Sequence, residues 1–375
     1  MKKTPFYQKH LQNKGRIVDF CGWALPLEYQ SALQEAKQVR SICGLFDASH
    51  MGEIIIQGPG SFDFLQRLAS NDISLLKTGQ MQYNLFLNKS GGVIDDLMVY
   101  KLKNGFMCVV NASNKDKVFT WLNKNNNQQA EIIDISDITA LISIQGPNSA
   151  AIVNKVFGKK IADLNYMSFF EGKIEGVDKE AVVSRSGYTG EDGFEVYICL
   201  DDAVYWWDKI VEEGKNFGLM LCGLGSRDIL RIEAGYPLYG HEINDEINPC
   251  EAGLNWAVKL NKNLIGREEI LKVKNQGIRR KRIGFIMRER AFPRQGFCAY
   301  SRGKEIGEVS SAAFSPNLNS FIGMAYIEKD FAVLGNEVQI KVREKLYKAK
   351  IVKYPFITPK TRAKIGGNNE RVKIY

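Results

Sequence analysis

Apolar and polar positions along this chain alternate with two periods, and the changes of period mark its elements. Residues 29–42 repeat apolar positions at helical spacing and predict a helix. Gly52-Glu53-Ile54-Ile55-Ile56-Gln57-Gly58-Pro59 then reads as a strand broken at Gly-Pro, followed by a helical stretch at Ser61–Leu68. The same phrase returns at Leu141-Ile142-Ser143-Ile144-Gln145-Gly146-Pro147, where a helix opens at residues 150–153, with Pro where a first helical turn tolerates it. Two such echoes suggest two related α+β units, although a shared turn type could also produce so short a match.

Between the echoes, residues 82–87, Val93–Lys101 and residues 106–111 predict strands, and Lys115–Lys124 a helix. Residues 181–186 and 193–200 form an expected strand pair, followed by helices near 203–213 and 226–234, with Gly235 suited to cap the last. The order is mixed rather than strictly alternating, so α+β fits better than a doubly wound sheet. Past Asn275-Gln276-Gly277 comes the basic run Arg279-Arg280-Lys281-Arg282. Short strands follow at residues 283–287, 306–310, 322–327, 337–342 and 347–352, which read as a small separate β-barrel or sandwich. The basic run reads by default as a solvated linker.

Composition narrows the class. At about 150 residues per domain, 375 residues suggest two or three domains. The net charge of +9 predicts anionic partners without naming them. The start, Met1-Lys2-Lys3-Thr4-Pro5, leads into no unbroken apolar stretch, so neither a signal peptide nor a membrane span is expected, and the protein reads as cytoplasmic. Seven scattered cysteines without C-x-x-C spacing and three histidines without H-E-x-x-H leave metal catalysis unsupported, so no metal site is expected. Gly223-Leu224-Gly225-Ser226-Arg227-Asp228 lacks the third glycine of a dinucleotide fingerprint. No phosphate-cradling P-loop occurs, and the Lys and Arg residues form no recognisable nucleic-acid signature.

Three segments could carry chemistry. In Gly91-Gly92-Val93-Ile94-Asp95-Asp96-Leu97-Met98-Val99-Tyr100, two carboxylates sit in a strand, where Asp is disfavoured. Period-two geometry puts Asp96, Met98 and Tyr100 on one face and Asp95, Leu97 and Val99 on the other, so one Asp can face a given pocket. Capping of neighbouring amides would explain the pair equally well. In Arg185-Ser186-Gly187-Tyr188-Thr189-Gly190-Glu191-Asp192-Gly193-Phe194-Glu195, a glycine-rich connection brings Tyr188 near Glu195. An aromatic face beside a carboxylate suits a flat heterocycle with an amidine-like N–H edge, as in pterins and guanines. Arg227 and Arg231 lie four apart on one helical face near a helix N-terminus, which favours an anion or, equally, a salt-bridged surface.

The motifs Val18-Asp19-Phe20-Cys21-Gly22-Trp23, Phe46-Asp47-Ala48-Ser49-His50-Met51-Gly52, Gly91–Asp96, Gln145-Gly146-Pro147, Gly187–Gly193, Arg231-Ile232-Glu233-Ala234-Gly235 and Tyr239-Gly240 run in order along nearly the whole chain. In this series the chain resembles the T protein family of the glycine cleavage system, folate-dependent aminomethyltransferases. The resemblance implies an α+β protein of three lobes around a central folate pocket: residues 1–50 with 140–275, residues 51–139, and a C-terminal β-barrel lobe at 276–375. It implies transfer of a one-carbon unit from the aminomethyl group on the dihydrolipoyl arm of the H protein to tetrahydrofolate, releasing ammonia. Asp96 would then lie beside the reacting folate nitrogens and Glu195 would recognise the pterin edge. Tyr83, Tyr100 and Tyr188 would line or stack on the folate, Met51 and Asn111 would contribute to the pocket, and Arg227 would stand where folate and arm meet. Arg362 would reach the same pocket from the tail. Other proteins of related fold leave a folate-dependent demethylase, or a non-enzymatic folate-binding protein, as alternatives. The positive charge would serve the glutamyl tail of folate and an acidic lipoylated H protein, with Arg279–Arg282 the first place to test for the latter.

Overall fold

The run Thr-Ala-Leu-Ile-Ser-Ile-Gln at Thr139–Gln145 is buried at every position after the first, and a strand with apolar side chains on both faces needs a cover on each. In the computed structural model, which describes residues 1–127, 129–174 and 179–361, it is a central strand of a six-stranded sheet. The order is Phe169–Lys173, Glu180–Ser184, Gly193–Cys199, Thr139–Gln145, Gly44–Asp47, Met220–Leu221, antiparallel except for the last pair. The helices Ser149–Phe157 and Leu200–Gly214 cover one face. The second of these buries Ala203, Trp206, Trp207 and Ile210, a stripe at helical spacing, in that layer. Each Leu- or Phe-sized side chain buried there contributes about 1.5–3 kcal/mol.

A second sheet, wholly antiparallel, runs Met81–Leu87, Val93–Lys101, Phe106–Val110, Gly52–Gln57, Glu131–Asp134. The helices Ser61–Leu68 and Lys115–Lys124 cover its outer face. Its inner face packs on the free face of the first sheet: Met81, Tyr100, Met107 and Val109 meet Leu141, Phe169 and Tyr197. Backbone bonds from Met81 N–H to the Met167 carbonyl and from Phe169 N–H to the Gly79 carbonyl join the two at one edge. Each sheet holds one copy of the strand, Gly-Pro turn and helix phrase.

The third unit is a closed barrel in the order Arg280–Met287, Ser320–Glu328, Lys304–Ser315, Cys298–Ser301, Glu337–Val342, Lys345–Val352. The run 279–282 is therefore not a solvated linker. It opens the first barrel strand, and strand alternation splits it: Arg279 and Lys281 are exposed, Arg280 pairs with Glu251, and Arg282 is buried over the Tyr354 ring. Sequence periodicity also passed over the short N-terminal strands Ile17–Phe20 and Trp23–Pro26, which form a small sheet of their own with Lys2–Lys3. Among the described residues no helix is long and apolar enough to cross a membrane.

Buried charge clasps the barrel to the first sheet. The helix Leu224–Glu233 carries Arg231, whose guanidinium donates to Asp228 on the same helix, to Glu242 and to Ser311 of the barrel. From the helix Ala32–Ser41, Arg40 donates to Glu233 at 2.9 Å and to Glu191 at 3.1 Å, while Ser315 and Asn317 of the barrel also donate to Glu233. Removing one partner of such a buried network leaves the others uncompensated. Arg40→Met is expected to destabilise the fold by about 3–5 kcal/mol, whereas Arg16→Ala, which breaks an exposed pair with Glu28, costs about 1 kcal/mol or less. Urea unfolding midpoints of the two variants check this, and similar shifts would contradict it.

Candidate active site

Along Val93–Lys101, Asp95 is buried, Asp96 half-buried, Leu97 buried and Met98 half-buried, so the two aspartates do take opposite faces. They are nevertheless coupled. Asn111, which ends the neighbouring strand, donates its side-chain amide to Asp95 Oδ1 at 2.9 Å, to Asp96 Oδ1 at 2.8 Å and to the Asp96 carbonyl at 3.1 Å. Asp95 also accepts from the Asn111 backbone N–H and from Asn114. Asp96 Oδ2 accepts from the Tyr83 hydroxyl at 3.0 Å, and the Tyr83 ring stacks on Trp256 with centroids 5.4 Å apart. Burial, and for Asp95 the neighbouring carboxylate, push both groups up, Asp95 to about 7 and Asp96 to about 6, against the pull of these donors.

The other half of the site lies on the first sheet. Phe46, Ser143, Glu195 and Ser184 stand directly opposite one another in one row across four strands. Glu195 Oε2 accepts from Ser186 at 2.6 Å. Burial raises the Glu195 carboxyl, while Ser186 and the charge of Arg227 pull it back. Arg227, early in the helix Leu224–Glu233, lays its guanidinium over the Tyr188 ring at 4.7 Å, and its Nη1 is buried without a hydrogen-bond partner. The Tyr188 hydroxyl donates to the Pro237 carbonyl and its ring packs on Tyr236. His50 is buried beside this group. Burial and the Arg227 charge lower it to about 4, so it is neutral.

Two of the sequence motifs interlock to fix this geometry. The Gln145 amide donates to the Ser186 carbonyl and accepts from Thr189. A Cβ at Gly187 would lie 1.9 Å from the Gln145 side chain and one at Gly193 2.4 Å from it. Only glycine admits Gln145 at both places, so Gln145-Gly146-Pro147 and the loop at 185–192 hold each other.

The structure brings Asp96, Asn111 and Tyr83 together by hydrogen bonds, and separately Glu195, Arg227 and Tyr188, with the Asp96 charge bearing on Tyr188 as well as on Tyr83. Met51 is half-buried in the cluster between the sheets. Tyr100, expected against the ligand, is 0% exposed and instead backs the site from behind. Tyr188 lies on a loop rather than on a paired strand, because pairing stops at Ser184. Arg362 lies outside the described residues. Sequence reasoning passed over Trp256, which no periodicity marks, and Ser186, which stood in plain view two residues before Tyr188.

A carboxylate held by an amide and a phenol hydroxyl, and a second set of carboxylate, arginine and tyrosine, are groups of the kind that suit a flat polar heterocycle. Comparison with known proteins gives the family. Residues 6–262 match the GCVT N-terminal domain and residues 280–357 the glycine cleavage T-protein C-terminal barrel domain. The chain is 44% identical over 359 residues to the aminomethyltransferase of Halothermothrix orenii, covering 95% of this chain and 100% of that protein. It is 43% identical to that of Bacillus licheniformis, covering 95% and 98%. The crystal structure of glycine cleavage system aminomethyltransferase T from Bartonella henselae superposes with a TM-score of 0.90 at 32% identity, covering 96% of this chain and 99% of that one. The chain belongs to the glycine cleavage T-protein family.

Asn111 stabilises both aspartates in their charged form, so Asn111→Ala is expected to raise the Asp96 titration midpoint by about one pH unit from its value of about 6. Carboxyl carbon NMR of labelled aspartate reads this directly, and an unmoved midpoint would contradict the assigned role of the amide.

Proposed function

We propose that this chain is the tetrahydrofolate-dependent aminomethyltransferase of a glycine cleavage system. It moves the one-carbon unit from the aminomethyl group on the dihydrolipoyl arm of the H protein to tetrahydrofolate, with release of ammonia and formation of 5,10-methylenetetrahydrofolate. The observation that carries this is Asp96, a half-buried carboxylate oriented by Asn111 and Tyr83, in a chain that also holds Glu195, Arg227 and Tyr188, groups suited to a pterin. Family membership and relatives named aminomethyltransferase support it.

The donor set fits tetrahydrofolate. Glu195 offers two carboxylate oxygens to the two N–H donors of the pterin edge, Arg227 offers an unpaired buried N–H to an acceptor, and Tyr188 offers a polar-tipped ring. When bound, tetrahydrofolate supplies the nucleophilic nitrogen that takes up the one-carbon unit. The carbon's bonds to the ammonia nitrogen and to the arm's sulfur break as its bonds to the two folate nitrogens form, and the two folate N–H protons leave with ammonia and the freed thiol. As ammonia leaves, the carbon becomes electron-poor, and the Asp96 carboxylate stabilises the positive charge. Tyr83 and Asn111 keep the carboxylate oriented before the charge develops, so no reorganisation is needed during the step. Asp95, buried under three donors, supports the strand and takes no part in the transfer.

Asp96→Asn should lower kcat about 100-fold or more while leaving tetrahydrofolate affinity nearly unchanged. Glu195→Ala should mainly weaken tetrahydrofolate binding, by about tenfold or more, since it removes charge-assisted hydrogen bonds. Steady-state ammonia release with aminomethylated H protein, together with calorimetric binding, separates the two. A near-normal rate for Asp96→Asn would remove Asp96 from the reaction. Because the ionised form of Asp96 acts, wild-type turnover should hold above its midpoint of about 6 and fall as pH drops through it.

A further inference from the structure

Four hydroxyl groups stand in line behind Glu195. Ser186 donates to Glu195 Oε2 at 2.6 Å, Ser184 Oγ lies 2.7 Å from Ser186 Oγ, the Tyr100 hydroxyl 3.2 Å from Ser184, and the Tyr197 hydroxyl 2.9 Å from Tyr100. All four side chains are buried, and the line crosses from the first sheet to the second at Tyr100 and back at Tyr197. The transfer step derived above uses none of them.

A hydroxyl has one proton to give. Glu195, when ionised, can only accept, so the Ser186 proton goes to it. Ser186 must then accept from Ser184, Ser184 from Tyr100, and Tyr100 from Tyr197. Four protons fill four hydrogen bonds in one direction, every O–H dipole pointing toward the carboxylate, and hydrogen bonds aligned in this way strengthen one another. The other neighbours of Glu195 leave room for this influence. Arg227 brings one positive charge from the helix Leu224–Glu233, Ser143 on the adjoining strand is neutral, and Tyr188 lies beyond Arg227. Glu53, from the second sheet, bears on Tyr197, and burial and the neighbouring Asp134 raise its carboxyl, against the pull of Lys115.

We propose that Tyr197, Tyr100, Ser184 and Ser186 are positioning residues that keep Glu195 charged and fix its carboxylate plane for a ligand edge with two N–H donors. This rests on Glu195 recognising the pterin. Two serines two residues apart are thereby given a use, as is a tyrosine pair buried between the sheets, whose hydroxyls apolar packing alone does not require.

The test is calorimetric binding of tetrahydrofolate to the full-length protein and to Ser186→Ala, Tyr100→Phe and Glu195→Gln, from neutral to weakly acidic pH. Tyr100→Phe cuts the line without changing side-chain shape, so it serves if Ser186→Ala folds poorly. Wild-type affinity should fall as pH drops through the Glu195 midpoint. Ser186→Ala should bind about tenfold more weakly at neutral pH and move that midpoint up by about one pH unit. Tyr100→Phe should move it the same way by less. Titration of tetrahydrofolate itself is common to all four proteins and cancels in the comparison. Weaker binding of Ser186→Ala and Tyr100→Phe with an unmoved midpoint would show packing alone and overturn the proposal. Wild-type binding by Glu195→Gln at every pH would instead overturn the assignment of Glu195.

Discussion

The face-to-face packing of two antiparallel sheets governs the rest of this molecule. Each sheet buries one face under its own helices and the other against its partner, through Met81, Tyr100, Met107, Val109, Leu141 and Tyr197. Polar groups caught at that joint must find partners or pay the cost of desolvation. Asp96 and Glu195 lie there, met by donors from Asn111, Tyr83 and Ser186, while Asp95 faces the helix side of its sheet and is held by Asn111 and Asn114. Burial at the joint raises the Asp96 and Glu195 carboxyls, and these donors pull them back.

The barrel completes this arrangement from a third side. Arg231, Arg40 and Glu233 tie it to the helix that presents Arg227, so the guanidinium stacked on Tyr188 is held by elements from separate parts of the chain. Backbone N–H groups of Phe356 and Ile357 donate to the Glu233 carbonyl, and that of Lys360 to the Gly190 carbonyl, so the end of the described chain is laced to the loop that carries Tyr188.

Much of this was legible in the sequence where one strand or one helix decides the outcome. Period two separated Asp95 from Asp96, and the repeated Gly-Pro phrase marked one helix-covered strand in each sheet. Tyr100 shows the limit. It shares the Asp96 face, as alternation required, yet the second half of that strand lies under Phe169 and Tyr197, and strand periodicity cannot tell how far along a face the partner sheet extends. Arg282 was misread because a charge run looks solvated unless a tyrosine from elsewhere, here Tyr354, is placed over it. Ser184 and Ser186 carry no periodic signal, and their meaning comes only from the tyrosines that reach them from other strands. The ordered motif series supplied what local pattern could not.

Asp96 and the groups around it are proposed to transfer a one-carbon unit from an aminomethyl carrier to tetrahydrofolate. A single-turnover reaction of the protein with aminomethylated H protein and tetrahydrofolate tests it most directly, with ammonia and 5,10-methylenetetrahydrofolate quantified together. Both should appear in equal amounts and at the same rate. Tetrahydrofolate binding without ammonia release, or ammonia without the methylene product, would contradict it.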